Sequence, residues 1–255
     1  MLKRQLDYMG YAPTKLHRTA ALDSQATRTT TQQGSHNRDT SKTPKQLETE
    51  ADVFEPLIAW GVATRALPGQ KVSGDLHLVK LFEDGFLLAA VDGIGHGAEA
   101  RLAAKTAVAV LENHPEDALV VLFKRCHELL AQTRGVVMTA AALQPMQRQL
   151  TWMGVGNVEA LLVRADVRAK THGDRVVLRS GLVGYQLPAL RPSTVPIAAG
   201  DLVVFATDGI APGFGEGLVC GESPQKLADT ILDRYFKGND DALALVVRYL
   251  GMGYE

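Results

Sequence analysis

The sequence has few cysteines, few aromatic residues and no long apolar run. Only two of its 255 residues are cysteines, Cys126 and Cys220, and they lie far apart with no metal-ligand spacing around them. Two such thiols form neither a disulfide framework nor a zinc site, so we expect both to be core residues in a reducing compartment, the cytoplasm. No apolar stretch approaches the roughly 18 residues that span a bilayer, which excludes a membrane helix. No apolar segment follows Lys3 and Arg4, so the N-terminus is not typical of a signal peptide.

Charge of one sign is also lacking. The 27 Lys and Arg residues nearly balance the 28 Asp and Glu residues, which leaves a formal net charge of −1. No overall basic field would therefore gather nucleic acid, and no strong acidity suggests a basic partner. The hydrophobic fraction of 46% and the charged fraction of 22% are typical of a soluble globular protein.

The first fifty or so residues differ in composition from the rest. Between Asp23 and Gln46 the only aliphatic side chain is Ala26, among many Thr, Gln, Ser and charged residues. Such a segment cannot bury enough apolar surface to offset its chain entropy. We expect a flexible polar extension over residues 1–52 and one folded domain over residues 53–255.

Short runs rich in Val and Leu predict strands in most of the folded part. Two helices are expected in its first half, over 98–113 and from Pro115 through Ala131, and a third begins at Pro224 after the cap residue Ser223. The strands are expected at 57–67, 76–82, 86–91, 136–143, 149–155, 158–163, 175–179, 201–207 and 242–249. This order is not a regular strand–helix alternation, so it favours two mostly antiparallel sheets with helices packed outside.

Four aspartates carry the main chemical signal. Asp92 and Asp208 each follow an apolar strand and precede a glycine, whereas Asp75 and Asp240 each stand just before a strand. Antiparallel strands could bring all four to one end of a sheet, where their charges would repel unless cations neutralised them. Mg²⁺ and Mn²⁺ prefer such oxygen ligands, and glycine after an aspartate lets the backbone turn tightly and present a carbonyl.

Two other interpretations of these segments are weaker. A single Asp-Gly pair is more often a turn than a ligand, and Asp84-Gly85 is predicted to be such a hairpin turn. The spacing Gly93-x-Gly95-x-x-Ala98 matches a dinucleotide fingerprint after a strand. However, Asp92 would aim a carboxylate at the pyrophosphate, and the helix is followed by a second helix rather than by a strand ending in an acidic residue.

Five segments of the sequence form an ordered set of motifs around the aspartates. They are Lys71-Val-Ser-Gly-Asp75, Val91-Asp-Gly-Ile-Gly-His-Gly97, Gly154-Val-Gly-Asn157, Gly200-Asp-Leu-Val-Val-Phe-Ala-Thr-Asp-Gly209 and Asp240-Asp-Ala-Leu-Ala-Leu-Val-Val247. These segments occur in the order found in PPM/PP2C-type phosphatases and most resemble the SpoIIE-like bacterial branch of that family. The resemblance extends from about Leu57 to Leu250, and the bare domain, without an attached sensor, is most similar to the stressosome phosphatases of that branch.

The resemblance implies a four-layer α-β-β-α sandwich with two or more Mn²⁺ or Mg²⁺ ions at one end of the sheets. Asp92 would bridge the metals and Gly93 would lend its carbonyl. Asp208 and Asp240 would hold one metal, with Asp241 as the alternative to Asp240, and Asp75 would serve a second or third ion. Asp92 and Asp208 would be the catalytic residues.

The implied activity is hydrolysis of phosphoserine or phosphothreonine in a bacterial partner-switching pathway, by a metal-activated water. The expected substrates are phosphorylated stressosome proteins of the STAS type, and a monomer is the expected state. A catalytically silent domain that binds phosphoproteins is the alternative from another class of function. The aspartates at all four motif positions favour the enzyme.

The sequence departs from the family pattern at two points. Many PP2C enzymes have a histidine directly after the Asp-Gly pair, but here that position is Ile94 and the histidine follows at His96. The general acid is therefore either His96 or a metal-bound water. The arginine that grips phosphate in eukaryotic members has no clear equivalent, which leaves Arg65 and Lys71 as candidates or as ordinary surface charges. Asn157 is interpreted as a turn residue near the site rather than a ligand.

Overall fold

The computed structural model describes residues 57–166 and 173–252. The extension predicted over residues 1–52 lies outside the described residues. Of the helices in the described ranges, none is long and apolar enough to cross a membrane.

The first sheet has five strands, all paired antiparallel. Its spatial order is β1 (Ile58–Arg65), β11 (Ala242–Tyr249), β10 (Leu202–Ala206), β6 (Glu159–Val163) and β7 (Gly173–Arg175).

The second sheet is antiparallel except for one short parallel pair between its last two strands. Its order is β2 (Asp75–Phe82), β3 (Gly85–Gly93), β4 (Val136–Gln144), β5 (Gln149–Val155) and β8 (Leu178–Arg179), and β9 (Ser193–Pro196) also pairs with β5. A 3₁₀ turn over Pro145–Gln147 connects β4 and β5.

Three helices cover the outer faces of the two sheets. Helices α1 (Gly97–Asn113) and α2 (Leu119–Leu130) share a core with the second sheet, whereas α3 (Pro224–Tyr235) packs on the first. Helix α3 begins as predicted, because the Ser223 side chain accepts a hydrogen bond from the Lys226 backbone N–H. The predicted four-layer α-β-β-α sandwich is confirmed.

Strand β3 shows how the apolar runs build this architecture. Its side chains alternate between the two faces of the sheet. Leu87 and Val91 join the core under α1 and α2, whereas Leu88 joins the core between the sheets with Trp152 and Phe205. Because both faces are covered, the strand is apolar along its length until its penultimate residue, the site aspartate.

Several predicted boundaries differ from the structure. Helix α2 begins at Leu119 rather than at Pro115, because the Asp117 N–H bonds back to the His114 carbonyl in a turn. Ala118 then takes an extended backbone conformation at the N-cap position. The strand expected over 57–67 spans 58–65, and its outlying residues lie in the flanking loops.

The strand predicted over 175–179 is two strands in different sheets. Residue Arg175 ends β7, and Leu178 begins β8. Strand β9 was not predicted, because its sequence Ser-Thr-Val-Pro is short and ends in proline. Both cysteines are free; Cys126 is buried in the core as predicted, but Cys220 is only half-buried.

Candidate active site and metal centre

The four predicted aspartates come from the ends of two pairs of neighbouring strands. Asp75, the first residue of β2, lies directly opposite Asp92 near the end of β3. Asp208 follows β10 and Asp240 precedes β11, and these strands pair antiparallel with Ala206 opposite Ala244. Each sheet therefore contributes two carboxylates at one of its ends.

An open cleft of about 390 Å³ joins the two ends. Asp92, Asp208 and Asp240 all line it, which places three of the four predicted aspartates around one cavity. Asp75 does not line the cleft, and its residue is only 3% exposed. The other lining residues are Ile94, Gly95, Val137, Gly156, Asn157, Ser180 and Gly181.

The crowding of carboxylates changes their protonation. Burial, followed by the charges of Asp75, Asp208, Asp240 and Asp241, raises the pKa of Asp92 to about 9. Burial also raises the pKa of Asp75, a hydrogen bond from Thr207 lowers it, and the charges of Asp241, Asp208 and Asp240 raise it, which together place it at about 7. Without cations, the protein would hold protons at these positions near neutral pH.

Asn157 orients one of these carboxylates. It lies in the predicted turn between β5 and β6, and its Nδ2 donates a hydrogen bond of 2.8 Å to Asp208 Oδ2. Burial and the charge of Asp240 raise the pKa of Asp208, whereas Lys237 and this hydrogen bond lower it. Asn157 therefore stabilises the ionised form of a predicted ligand, a role that sequence reasoning did not assign.

Asp240 and Asp241 have different surroundings. Asp241 is 2% exposed, and its two carboxylate oxygens accept the backbone N–H groups of Leu67 at 2.7 Å and Gly74 at 2.6 Å. These bonds hold the loop that precedes Asp75. Asp240 instead lines the cleft, and its Oδ1 accepts the N–H of Asp241 at 2.8 Å. The geometry favours Asp240 over Asp241 as the ligand.

The glycines after the aspartates have a packing role. A tight turn was expected at Gly93, but Gly93 is the last residue of β3 and its φ is not positive. A Cβ atom there would overlap the carbonyl oxygen of Ala100 in α1. At Gly209 a Cβ would overlap the carbonyl oxygen of Asp241. Glycine thus lets neighbouring backbone approach the aspartates closely.

Comparison with known proteins decides the family. Residues 83–250 match the model of the family described as Stage II sporulation protein E (SpoIIE). The chain belongs to the SpoIIE family. The resemblance predicted from the five sequence motifs is confirmed.

Relatives of this SpoIIE-family chain include phosphatases and stressosome proteins. Phosphoserine phosphatase RsbX of Bacillus subtilis (strain 168) is 23% identical over 185 residues, which are 71% of this chain and 89% of that protein. A chain from a solved structure described as "The bacterial stressosome: a modular system that has been adapted to control secondary messenger signaling" is 30% identical, with a TM-score of 0.68 over 75% of this chain and 99% of that chain.

The fold is also that of RsbX in complex with magnesium. That structure has a TM-score of 0.67 at 21% identity, over 75% of this chain and 94% of that chain. The predicted similarity to stressosome phosphatases is therefore confirmed.

His96 of this SpoIIE-family chain does not line the cleft. His96 occupies the N-cap position of α1, is exposed, and makes no side-chain capping hydrogen bond. It is not among the cleft-lining residues, whereas Ile94 is one of them and is 37% exposed. The structure therefore gives no support to His96 as the general acid.

The cations singled out in the sequence lie elsewhere too. Arg65 pairs with Asp233 at 2.9 Å and lies over the ring of Phe236, 5.0 Å from its centroid. Lys71 is exposed and does not line the cleft. Both residues fit the interpretation as ordinary surface charges.

Arg134 was missed by sequence reasoning; it does not itself line the cleft, but it lies beside a residue that does. Its Nη1 is 2.7 Å from the position that a Cβ on Gly95 would take, and Gly95 lines the cleft. Arg134 pairs with Glu99 on α1, and the Glu99 side chain is 71% exposed. An exposed pair of this kind is weak, so the guanidinium can exchange Glu99 for another anion. Nothing local in the sequence marks this residue, since it lies between α2 and β4.

The donor set fits a hard divalent cation. All four predicted side-chain ligands are carboxylates, which suit Mg²⁺ or Mn²⁺ rather than zinc. In the described ranges, no three carboxylate, histidine or cysteine side chains are gathered closely enough to enclose an ion by themselves. Mg²⁺ usually keeps several waters beside one or two carboxylates, and an open acidic cleft suits that mode of binding.

Proposed function

We propose that this protein is a metal-dependent serine/threonine phosphoprotein phosphatase. The observation that carries the proposal is the convergence of Asp92, Asp208 and Asp240 on one open cleft, with Asp75 buried behind it. Membership of the SpoIIE family and the likeness to a phosphoserine phosphatase support it.

The predicted ligands would together bind two or more Mg²⁺ or Mn²⁺ ions. Asp92 would bridge two ions and Gly93 would add its carbonyl, while Asp208 and Asp240 would hold one ion and Asp75 a second or third. Such ions supply an activated water for attack on phosphorus and offset charge on the phosphoryl oxygens. Asn157 keeps Asp208 oriented through its 2.8 Å hydrogen bond.

The phosphate enters between the carboxylates and Arg134. The guanidinium beside Gly95 can leave the exposed Glu99 and form charge-assisted hydrogen bonds to phosphoryl oxygens. An open cleft admits a phosphorylated residue at a protein surface. Phosphorylated STAS-type stressosome proteins are the proposed substrates, on the strength of the relatives whose descriptions name RsbX and the stressosome.

Hydrolysis of p-nitrophenyl phosphate with Mn²⁺, in the presence and absence of EDTA, tests this proposal. We expect EDTA-sensitive turnover, lowered more than about 100-fold by Asp92→Asn and by Asp208→Asn, because both remove charge at the reacting centre. Asp84→Asn is the matched control, since Asp84 also precedes a glycine but lies at the opposite end of β3. A phosphoserine-containing STAS protein is then the second substrate.

The alternative function predicts a different outcome. A silent phosphoprotein-binding domain would bind the phosphorylated STAS protein but release no phosphate from either substrate. Equal turnover in wild type and Asp92→Asn would also contradict the proposed hydrolytic centre.

A further inference from the structure

Thr207 forms a direct polar link between the two sheets at the site. It follows β10, directly precedes Asp208, and is 1% exposed. Its Oγ1 donates a hydrogen bond of 2.7 Å to Asp75 Oδ2, on the first residue of β2 in the other sheet. Its Oγ1 also accepts the backbone N–H of Leu243 at 2.8 Å.

The surroundings of this hydroxyl fix the direction of its proton. A threonine hydroxyl has one hydrogen to donate, and the N–H of Leu243 uses one of its acceptor sites. The other nearby acceptor is the Leu243 carbonyl, at 3.5 Å, which is too long to compete with the carboxylate at 2.7 Å. The backbone of Thr207 is itself held, because its N–H bonds to that carbonyl at 3.1 Å.

The link fixes one Asp75 oxygen and leaves the other available. Oδ2 accepts the Thr207 proton, so the link does not engage Oδ1. Ser73 and Asp241 fix the adjoining backbone, through the N–H groups of Asp75 and Gly74. A carboxylate held in this way presents its remaining oxygen in one direction.

We propose that Thr207 is a positioning residue that aims Asp75 at a divalent cation and couples it to Asp208 in the other sheet. The inference rests on the proposed function in that it takes Asp75 to be a metal ligand. Partners of metal ligands outside the coordination shell commonly change metal affinity by about 10- to 100-fold. The Thr207 hydroxyl therefore controls affinity for the ion that Asp75 holds.

Mn²⁺ binding measured by titration calorimetry tests the inference without using activity. We expect Thr207→Val, which keeps the shape and removes the hydroxyl, to raise the Kd of at least one Mn²⁺ by about 10-fold or more. Thr207→Ser keeps the hydroxyl and should bind within about threefold of wild type. Thr207→Ala, whose smaller side chain leaves room, replaces the valine variant if that variant does not fold, with the same expected increase. Unchanged Mn²⁺ binding in Thr207→Val or Thr207→Ala would overturn the inference.

Thermal unfolding separates a positioning role from a merely structural one. Thr139→Val is the matched control, because Thr139 is fully buried and its hydroxyl donates to the Val158 carbonyl at 2.6 Å. We expect both valine variants to have a lower Tm in EDTA. Only Thr207→Val should also lose part of the Tm increase that Mn²⁺ produces. An undiminished increase in Thr207→Val would show that its hydroxyl only stabilises the fold.

The two proposals can fail separately. If wild type binds Mn²⁺ but hydrolyses no phosphate, the proposed function fails and the role of Thr207 stands or falls on the calorimetry. If wild type hydrolyses phosphate and Thr207→Val binds Mn²⁺ like wild type, only the positioning role is wrong. Absence of Mn²⁺ binding by wild type would overturn both.

Discussion

Asp75 lies directly opposite Asp92 across the antiparallel pair of β2 and β3. Like charges in facing positions destabilise a sheet, and here both groups are also withdrawn from water. Burial first, and then the charge of Asp75 and of the other aspartates, raise the pKa of Asp92 to about 9. Burial and the charges of Asp241, Asp208 and Asp240 raise the pKa of Asp75 to about 7, although its hydrogen bond from Thr207 lowers it. Without a cation, the fold therefore stores unfavourable electrostatic energy at the site, and a bound divalent ion would relieve it.

The first prediction is that the metal-free protein loses stability as pH rises from 5 to 8.5. In the folded state the pKa values of Asp75 and Asp92 lie above the ordinary value of 3.8. Both carboxyl groups therefore bind their protons more tightly in the folded state than in the unfolded state. Between about pH 4 and these raised values, the folded state holds more protons than the unfolded state, so the free energy of unfolding falls with pH. We expect the Tm in EDTA to fall by at least about 2–4 °C, the equivalent of ~1 kcal/mol in a domain of this size.

Two further Tm measurements test whether the raised pKa values of these aspartates cause the decline. Saturating Mn²⁺ should reduce the decline in Tm, because it offsets the charges that the protons neutralised. Asp92→Asn should have a shallower decline in EDTA and a higher Tm than wild type at pH 8.5. A Tm that rises with pH in EDTA, or an Asp92→Asn variant with the slope of wild type, would contradict the electrostatic explanation.

The second prediction separates two adjacent aspartates. Asp240→Asn should abolish metal-dependent hydrolysis with little loss of stability, because asparagine keeps the oxygen that accepts the Asp241 N–H. Asp241→Asn should lower the free energy of unfolding by about 1.5–3 kcal/mol, since it disturbs hydrogen bonds from Leu67 and Gly74 to a charged group. Urea unfolding in EDTA and turnover with Mn²⁺ measure the two effects. The reverse pattern would make Asp241 the ligand.

The third prediction concerns phosphate binding by Arg134. Arg134→Ala should lower kcat/KM about 10-fold for p-nitrophenyl phosphate and for a phosphoserine protein, because a charge-assisted hydrogen bond contributes ~1.5–3 kcal/mol. Arg125→Ala is the control, since Arg125 also forms an ion pair, with Asp117 at 2.9 Å, but lies within α2. Equal losses in the two variants would argue against contact between Arg134 and the substrate.

The fourth prediction concerns the close approach of α1 to the site. Gly93→Ala should destabilise the fold by about 1–3 kcal/mol, because its new methyl group would overlap the Ala100 carbonyl oxygen. A Cβ on Gly221 meets nothing within 4 Å, and Gly221 has no positive φ, so Gly221→Ala should leave the Tm almost unchanged. Chemical denaturation of both variants provides the comparison. A Gly93→Ala variant as stable as wild type would show that the backbone has room to move.

The sequence was sufficient where the determinants are local. The apolar run that ends at Asp92 predicts a strand delivering a carboxylate, and the structure places Asp92 at the end of β3. Capping chemistry likewise predicts the start of α3 at Ser223 and Pro224. Composition and periodicity predicted only two mostly antiparallel sheets with helices packed outside. The resemblance of five ordered motifs to a known family predicted the four-layer sandwich.

The features that the sequence did not reveal depend on contacts between distant residues. Thr207 and Asp75 are 132 positions apart, and the side chain of Asp241 bonds to backbone 174 positions away at Leu67. Arg134 lies beside Gly95 because β4, which follows Arg134, pairs with β3, which precedes Gly95, with Gly93 opposite Val136. The first pairing follows from the packing of the two sheets, and the other two follow from strands that pair although they are distant in sequence. No periodicity or propensity of a single segment predicts them.

Anomalous diffraction from crystals soaked in Mn²⁺ tests the central claim most directly, since it locates each ion relative to the carboxylates. We expect ions in the cleft with oxygens of Asp92, Asp208 and Asp240 about 2.0–2.2 Å away, near the distance typical of Mg²⁺ sites, and none at Asp84. Manganese bound elsewhere on a protein that nonetheless shows metal-dependent hydrolysis would contradict the account.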